Sequence, residues 1–234
     1  MPDAGRGGCV RRIVPLGGGG LADPALLAQI LEMTGKDRPR VCYVPTASGD
    51  PVEAIEAFHA TLPSDRAVAT DLALFRMDGR DPRQVLLEQD VIYVGGGSTA
   101  NMLAVWRVHG VDGMMAEAWE RGIVLTGASA GAICWFEDGV TDSFRPALDP
   151  LGDGLGFLPG SFCPHWDSEV LRKPVYHKLV DSGRMTPGLA ADDFAGPVFE
   201  GTELIGVVRS RPDAGVYRVL PGGRTEPVMP TRSP

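Results

Sequence analysis

The chain has 234 residues, 44% hydrophobic and 22% charged, a balance that can bury a core and excludes a disordered or fibrous chain. With 30 acidic against 22 basic residues, the net charge of −8 argues against a nucleic-acid or anionic-membrane surface, because both attract basic patches. Cys9, Cys42, Cys134 and Cys163 stand too far apart for a paired zinc-ligand spacing or a disulfide framework, so a reducing, cytoplasmic setting is expected. The first ten residues lack the apolar stretch of a signal peptide, and no run of about 18 apolar residues occurs. Residues 1–234 are read as one domain, with 1–9 and 221–234 as peripheral tails.

Residues 12–16 read as the first strand, followed by Gly17-Gly18-Gly19-Gly20 and a helix over 23–34. Asp23 can cap that helix and Pro24 suits its first turn. Strand character returns at 40–46, helical period at 51–62, a third strand within 67–75 and a short helix after Asp81-Pro82. Val91-Ile92-Tyr93-Val94 is a continuous apolar strand ending at Gly95-Gly96-Gly97, with Ser98 or Thr99 capping a helix to Val108. A helix over 111–121 leads into a strand at 123–126, then Gly127-Ala128-Ser129-Ala130-Gly131, with helical character through Phe136. Dense Pro and Gly predict a long surface loop over 139–160. A short strand at 161–164, a helix over 169–180 and β-rich segments over 188–219 complete the chain, and 221–234 is expected to fray. Alternating strands and helices give an α/β fold: a mainly parallel central sheet with helices on both faces and a short antiparallel C-terminal edge.

Gly127-Ala128-Ser129-Ala130-Gly131 fits a nucleophile elbow, in which small neighbours permit a sharp strand-to-helix turn that pushes one hydroxyl into the open. A buried strand before Ser129 and a helix after it place the amide of Ala130 against charge developing beside the serine. The plain alternative is a tight glycine turn with an incidental serine. A serine needs a base, and the histidines are His59, His109, His165 and His177. His59 and His177 fall inside amphipathic helices, and His109 closes a helix beside Gly110. His165, in Cys163-Pro164-His165-Trp166-Asp167, sits where a loop can present it to the C-terminal edge of the sheet. The amides of Gly95, Gly96 and Gly97 reach the same edge and could supply a second oxyanion donor. The competing reading is a cofactor-phosphate loop, since this run and Gly17–Gly20 both fit the loose dinucleotide fingerprint. The acidic residue that fingerprint requires is missing after Val44-Pro45-Thr46.

Tyr93-Val94-Gly95-Gly96-Gly97, Gly127-Ala128-Ser129-Ala130-Gly131-Ala132 and Pro164-His165, in that order, resemble the dipeptidase E and cyanophycinase family of serine peptidases. The resemblance implies a flavodoxin-like three-layer sandwich related to class I glutamine amidotransferases, and hydrolysis of short peptides by a Ser-His-acid arrangement without metal or cofactor. It makes Ser129 the nucleophile, His165 the base, and the amides of Ala130 and of Gly96 or Gly97 the oxyanion hole. The acid falls in Gly188-Leu189-Ala190-Ala191-Asp192-Asp193, where Asp193 aligns better than Asp192 and stands in place of a glutamate. Asp142 is a further candidate acid or substrate contact, with a turn residue as its plain reading. An N-terminal aspartyl preference, as in dipeptidase E, needs a cation, and Arg172, Lys173 and Arg145 are the candidates. The expected partner is a short peptide, with neither nucleic acid nor membrane, and a homo-oligomer is compatible with this reading.

Overall fold

A computed structural model describes residues 9–20, 23–144 and 146–229 of the chain. Its central sheet has seven strands in the order β11-β10-β1-β5-β4-β2-β3. Five of them, β1 (Arg12–Leu16), β2 (Arg40–Val44), β3 (Val68–Asp71), β4 (Val91–Val94) and β5 (Val124–Ala128), run parallel. β10 (Ala195–Glu200) and β11 (Glu203–Arg209) form the antiparallel edge that the C-terminal sequence predicts. Every residue of β4 and β5 is buried, which explains why both read as uninterrupted apolar runs.

Helices cover both faces. Asp23 caps α1 (Pro24–Glu32), its carboxylate accepting from the amides of Ala25 and Leu26, and proline takes the first turn. Leu26, Leu27 and Ile30 of α1 and Phe58 of α2 (Val52–Thr61) pack on Val14, Leu16 and Val41. On the opposite face Ile13, Cys42 and Ile92 meet α3 (Pro82–Leu87), α4 (Thr99–His109) and α5 (Val111–Glu120) through Leu86, Met102, Trp106 and Met115. Adjacent residues of one strand, such as Ile13 and Val14, serve opposite layers because strand side chains alternate.

The second half departs from the sequence reading. Instead of one sheet and a long loop, residues 136–191 and 216–227 build a second, six-stranded sheet ordered β13-β12-β9-β8-β6-β7. β6 (Phe136–Thr141), β8 (Leu158–Cys163) and β9 (Gly188–Ala191) are parallel. β7 (Asp149–Leu151), β12 (Val216–Leu220) and β13 (Arg224–Pro227) are antiparallel additions. The glycines that look like loop punctuation mark close packing: a Cβ on Gly139 would lie 2.4 Å from Ile133 Cγ2, and one on Gly188 would lie 2.0 Å from Ser161 O. Likewise α6 (Ala130–Ile133) is one turn, not a helix through Phe136, because Trp135 and Phe136 enter the buried layer between the sheets. β13 shows that 224–227, expected as part of a frayed tail, is an edge strand. α7 (Arg172–Asp181) covers the outer face of this sheet with Tyr176, Leu179 and Val180. Among the described residues no helix is long and apolar enough to cross a membrane.

The two sheets meet at their C-terminal ends. Gly18, just past β1, forms a parallel bridge with Asp193, just past β9.

Candidate active site

Ser129 follows β5 directly and has φ 55° and ψ −114°, a conformation that costs a non-glycine residue free energy unless its surroundings enforce it. They do so here. Its N–H donates to Leu16 O, and its carbonyl accepts from the amides of Ala132 and Ile133. Small neighbours are compulsory, since a Cβ on Gly127 would approach Gly131 O to 2.5 Å and one on Gly131 would approach Val94 O to 2.2 Å. Ser129 is half-buried at the turn, with its side chain facing the C-terminal edge of β4: a Cβ on Gly96 would lie 3.4 Å from Ser129 Cβ and 4.0 Å from its Oγ.

The candidate base and the candidate acid come from the second sheet. His165 follows β8 and Asp193 follows β9, and His165 Nδ1 lies 2.7 Å from Asp193 Oδ1. A carboxylate oxygen accepts, so this bond suits the tautomer with the proton on Nδ1 and the lone pair on Nε2. Both residues rest on the glycine loop after β1: His165 N–H donates to Gly17 O, and Phe194 N–H donates to Gly18 O. Side chains at Gly17 or Gly18 would collide with this arrangement, at 2.2 Å from Asp192 O and 2.0 Å from Asp193 Oδ1. The loop that fits a loose phosphate-binding fingerprint is therefore filled by His165 and Asp193. Ser129, His165 and Phe194 are three of the four described non-glycine residues with positive φ, the fourth being Asp50. Backbone strain is thus concentrated here. Ser129 Oγ makes no hydrogen bond to His165 among the described residues; such contacts commonly close only with substrate bound.

Anion-stabilising amides are available beside Ser129. Gly95 N–H is taken by Val44 O and Ser98 N–H by Ala47 O, whereas the amides of Gly96, Gly97 and Ala130 find no acceptor among the described residues. Of the three glycine amides, only those of Gly96 and Gly97 are thus open to an incoming acceptor. Gly97 is irreplaceable on steric grounds, with φ 137° and a Cβ position 2.2 Å from Ala47 O.

Asp192 and Arg172, the buried ones among the remaining candidates, have structural partners. Asp192 is 4% exposed and ties the acid loop to β12, accepting from Gly215 N–H at 2.9 Å and Tyr217 O–H at 3.0 Å. Burial pushes its carboxyl above the ordinary range, aided by the nearby charge of Asp167 and opposed by those two hydrogen bonds. Tyr217 is pushed up to about 12, by burial first and by Asp192 second. Asp142 is exposed at the end of β6, and its carboxylate does not contact His165. Arg172, expected to face substrate, is only 2% exposed. Its guanidinium serves Val140 O at 2.7 Å and Glu169 at 2.8 Å, so it stitches α7 to β6 instead. Lys173 lies 5.4 Å over the Trp166 ring, and Arg145 lies outside the described residues. His59 pairs with Asp71 and His177 meets Thr225. Among the described residues no three His, Cys, Asp or Glu side chains come together as a metal site.

Two features escaped the sequence reading. Asp167, two residues after His165, accepts from Asp193 N–H at 2.8 Å; its place in the His165-Trp166-Asp167 run was the available signal. Arg211 stacks 3.4 Å over the ring of Phe194, the residue after Asp193, and nothing local in its sequence marks it.

The sequence pattern of Peptidase family S51 matches residues 16–205. An uncharacterized peptidase, YgaJ, of Bacillus subtilis (strain 168) is 45% identical over 215 residues, covering 90% of this chain and 93% of that protein. Peptidase E of Citrobacter koseri is 33% identical over 99 residues, 42% of each chain. The crystal structure of a peptidase from an acI-B1 Actinobacterium superposes with a TM-score of 0.69 at 17% identity, over 96% of this chain and 97% of that one; at that identity the likeness speaks for the fold.

Proposed function

The chain belongs to Peptidase family S51 and is a peptidase, and from that premise we propose that it is a serine exopeptidase acting on short peptides, dipeptides foremost, through an acyl-enzyme on Ser129. The observation that carries this reading is the His165–Asp193 pair, 2.7 Å apart, set at the same sheet edge as a serine held at φ 55°. Ser129 Oγ attacks the scissile carbonyl carbon while Nε2 of His165 takes the hydroxyl proton. Asp193 holds the Nδ1–H tautomer and stabilises the imidazolium. The amides of Gly96, Gly97 and Ala130 receive the oxyanion. Collapse of the tetrahedral intermediate breaks the C–N bond, His165 returns the proton to the leaving amine, and water then repeats the sequence to free the acid and Ser129. A preference for an N-terminal aspartyl residue belongs to the same proposal. It draws support from the similarity to Peptidase E over 42% of the chain and from the exposed guanidinium of Arg211 beside Phe194.

The test is labelling with a serine-reactive phosphonate, located by peptide mass spectrometry, beside turnover of a panel of free and blocked di- and tripeptides. Ser129 should carry the label, and Ser129→Ala should lose about three or more decades of turnover while folding normally. Wild-type turnover in that variant, or a label elsewhere, removes Ser129 from the mechanism.

A further inference from the structure

The loops bearing His165 and Asp193 come from different strands, so some contact between them must set the register in which Asp193 Oδ1 meets His165 Nδ1. Backbone bonds supply part of it: Trp166 N–H donates to Ala191 O, while His165 N–H to Gly17 O and Phe194 N–H to Gly18 O seat both loops on the glycine turn after β1. Asp193 itself is secured differently. Its N–H donates to Asp167 Oδ1 at 2.8 Å, so the backbone of the acid is held by a side chain on the histidine loop. Charge alone would oppose this placement, because Asp167 stands beside Asp193 and its field pushes the Asp192 carboxyl upward. A third carboxylate among two others costs free energy through like-charge repulsion, and the charge-assisted bond to the Asp193 amide is what offsets it.

We infer that Asp167 is a positioning residue: by accepting from Asp193 N–H it locks the acid loop to the histidine loop and keeps the Asp193–His165 hydrogen bond closed. The inference rests on the serine-peptidase reading for its catalytic consequence, but its geometric content can be read without turnover. Its signature is the Nδ1 proton of His165, which a closed carboxylate–imidazole bond shields from exchange with water and moves far downfield in the proton NMR spectrum.

The experiment compares wild type, Asp167→Ala and Asp167→Asn in 15N-histidine-labelled full-length protein, with the resonance assigned by its loss in His165→Gln. Asp167 is exposed, so both variants should fold. In Asp167→Ala the downfield resonance should broaden or vanish, with kcat about tenfold lower, the equivalent of one ordinary hydrogen bond, and KM within about twofold. Asp167→Asn retains an oxygen acceptor and should keep the resonance and most of the turnover. An unchanged resonance in Asp167→Ala overturns the inference whatever the activity. Equal loss in both variants overturns it too, since charge and not the bond would then matter. Loss of the resonance in Asp167→Ala alone, alongside full activity of Ser129→Ala, upholds the brace while discarding the serine mechanism.

Discussion

Adding one methyl group at Gly18 tests whether the glycine loop after β1 is the seat of the acid. Gly18 lies outside the left-handed region, so alanine meets no backbone strain, and the effect is purely steric. The new Cβ would stand 2.0 Å from Asp193 Oδ1, 2.8 Å from its Cγ and 3.0 Å from His165 Cε1. Ordinary carbon contacts are about 3.5–4 Å, so the carboxylate must retreat by more than about 1 Å. That stretches its 2.7 Å bond to His165 beyond hydrogen-bonding reach. The Asp193 side chain is 22% exposed and can swing toward solvent, which limits the folding cost to the ~1–3 kcal/mol of ordinary overpacking. The loss of kcat should approach the ~10⁴-fold seen when a triad loses its acid, about 5.5 kcal/mol of transition-state stabilisation. Steady-state kinetics on the best dipeptide, with thermal melts, would measure both. Gly113→Ala, on α5 with nothing within 4 Å of the new Cβ, is the matched control and should leave kcat alone while gaining up to about 1 kcal/mol of stability. A Gly18→Ala enzyme with wild-type kcat and a native melt would refute the reasoning.

Asp193→Asn should reduce kcat by orders of magnitude at neutral pH while product-dipeptide binding, measured calorimetrically, stays within a few-fold, because the amide no longer enforces the Nδ1–H tautomer. Asp192→Asn should leave both kcat and product binding close to wild type. Its oxygen still accepts from Gly215 and Tyr217, so turnover persists; a collapse there would mean that Asp192, not Asp193, is the acid. The same variant carries a pH signature. Because the folded pKa of Asp192 is raised above the ordinary 3.8, its favourable contribution is complete below that value and is lost as pH rises through the raised folded value. Melts across pH 3 to 7 should therefore show Asp192→Asn gaining on wild type over that rise and level with it at the acid end. Arg172→Ala should lower the melting point, at about 1–3 kcal/mol for the unpaired Val140 carbonyl, with KM unchanged; a KM effect without destabilisation would return Arg172 to the substrate.

The first half of the fold was legible because its signals are local. β4 and β5 are buried on both faces and read as apolar runs, Asp23 and Pro24 start α1 where capping chemistry predicts, and the glycines around Ser129 announce a turn that only small residues permit. The choice of His165 over His59, His109 and His177 also followed from local context, since the other three sit in helices. The second sheet was not legible. Gly139 in β6 and Gly160 in β8 look like turn residues in a chain read one position at a time, and only the packing of Ile133 and the approach of Pro187 give them their purpose. Asp193 could be ranked above Asp192 by resemblance, but adjacent carboxylates differ only in which way the backbone turns after β9. One is aimed at His165 and the other at Tyr217. Arg172 shows the converse, a candidate cation for the substrate that becomes a buried strut once α7 lies on β6. The sequence by itself specified the elements of the first half and the chemistry available at their strand ends, because propensity, capping and small-residue turns act within a few residues. Which side chains meet depended on two sheets joining at Gly18 and Asp193, a contact across 175 positions in the numbering that no local signal encodes.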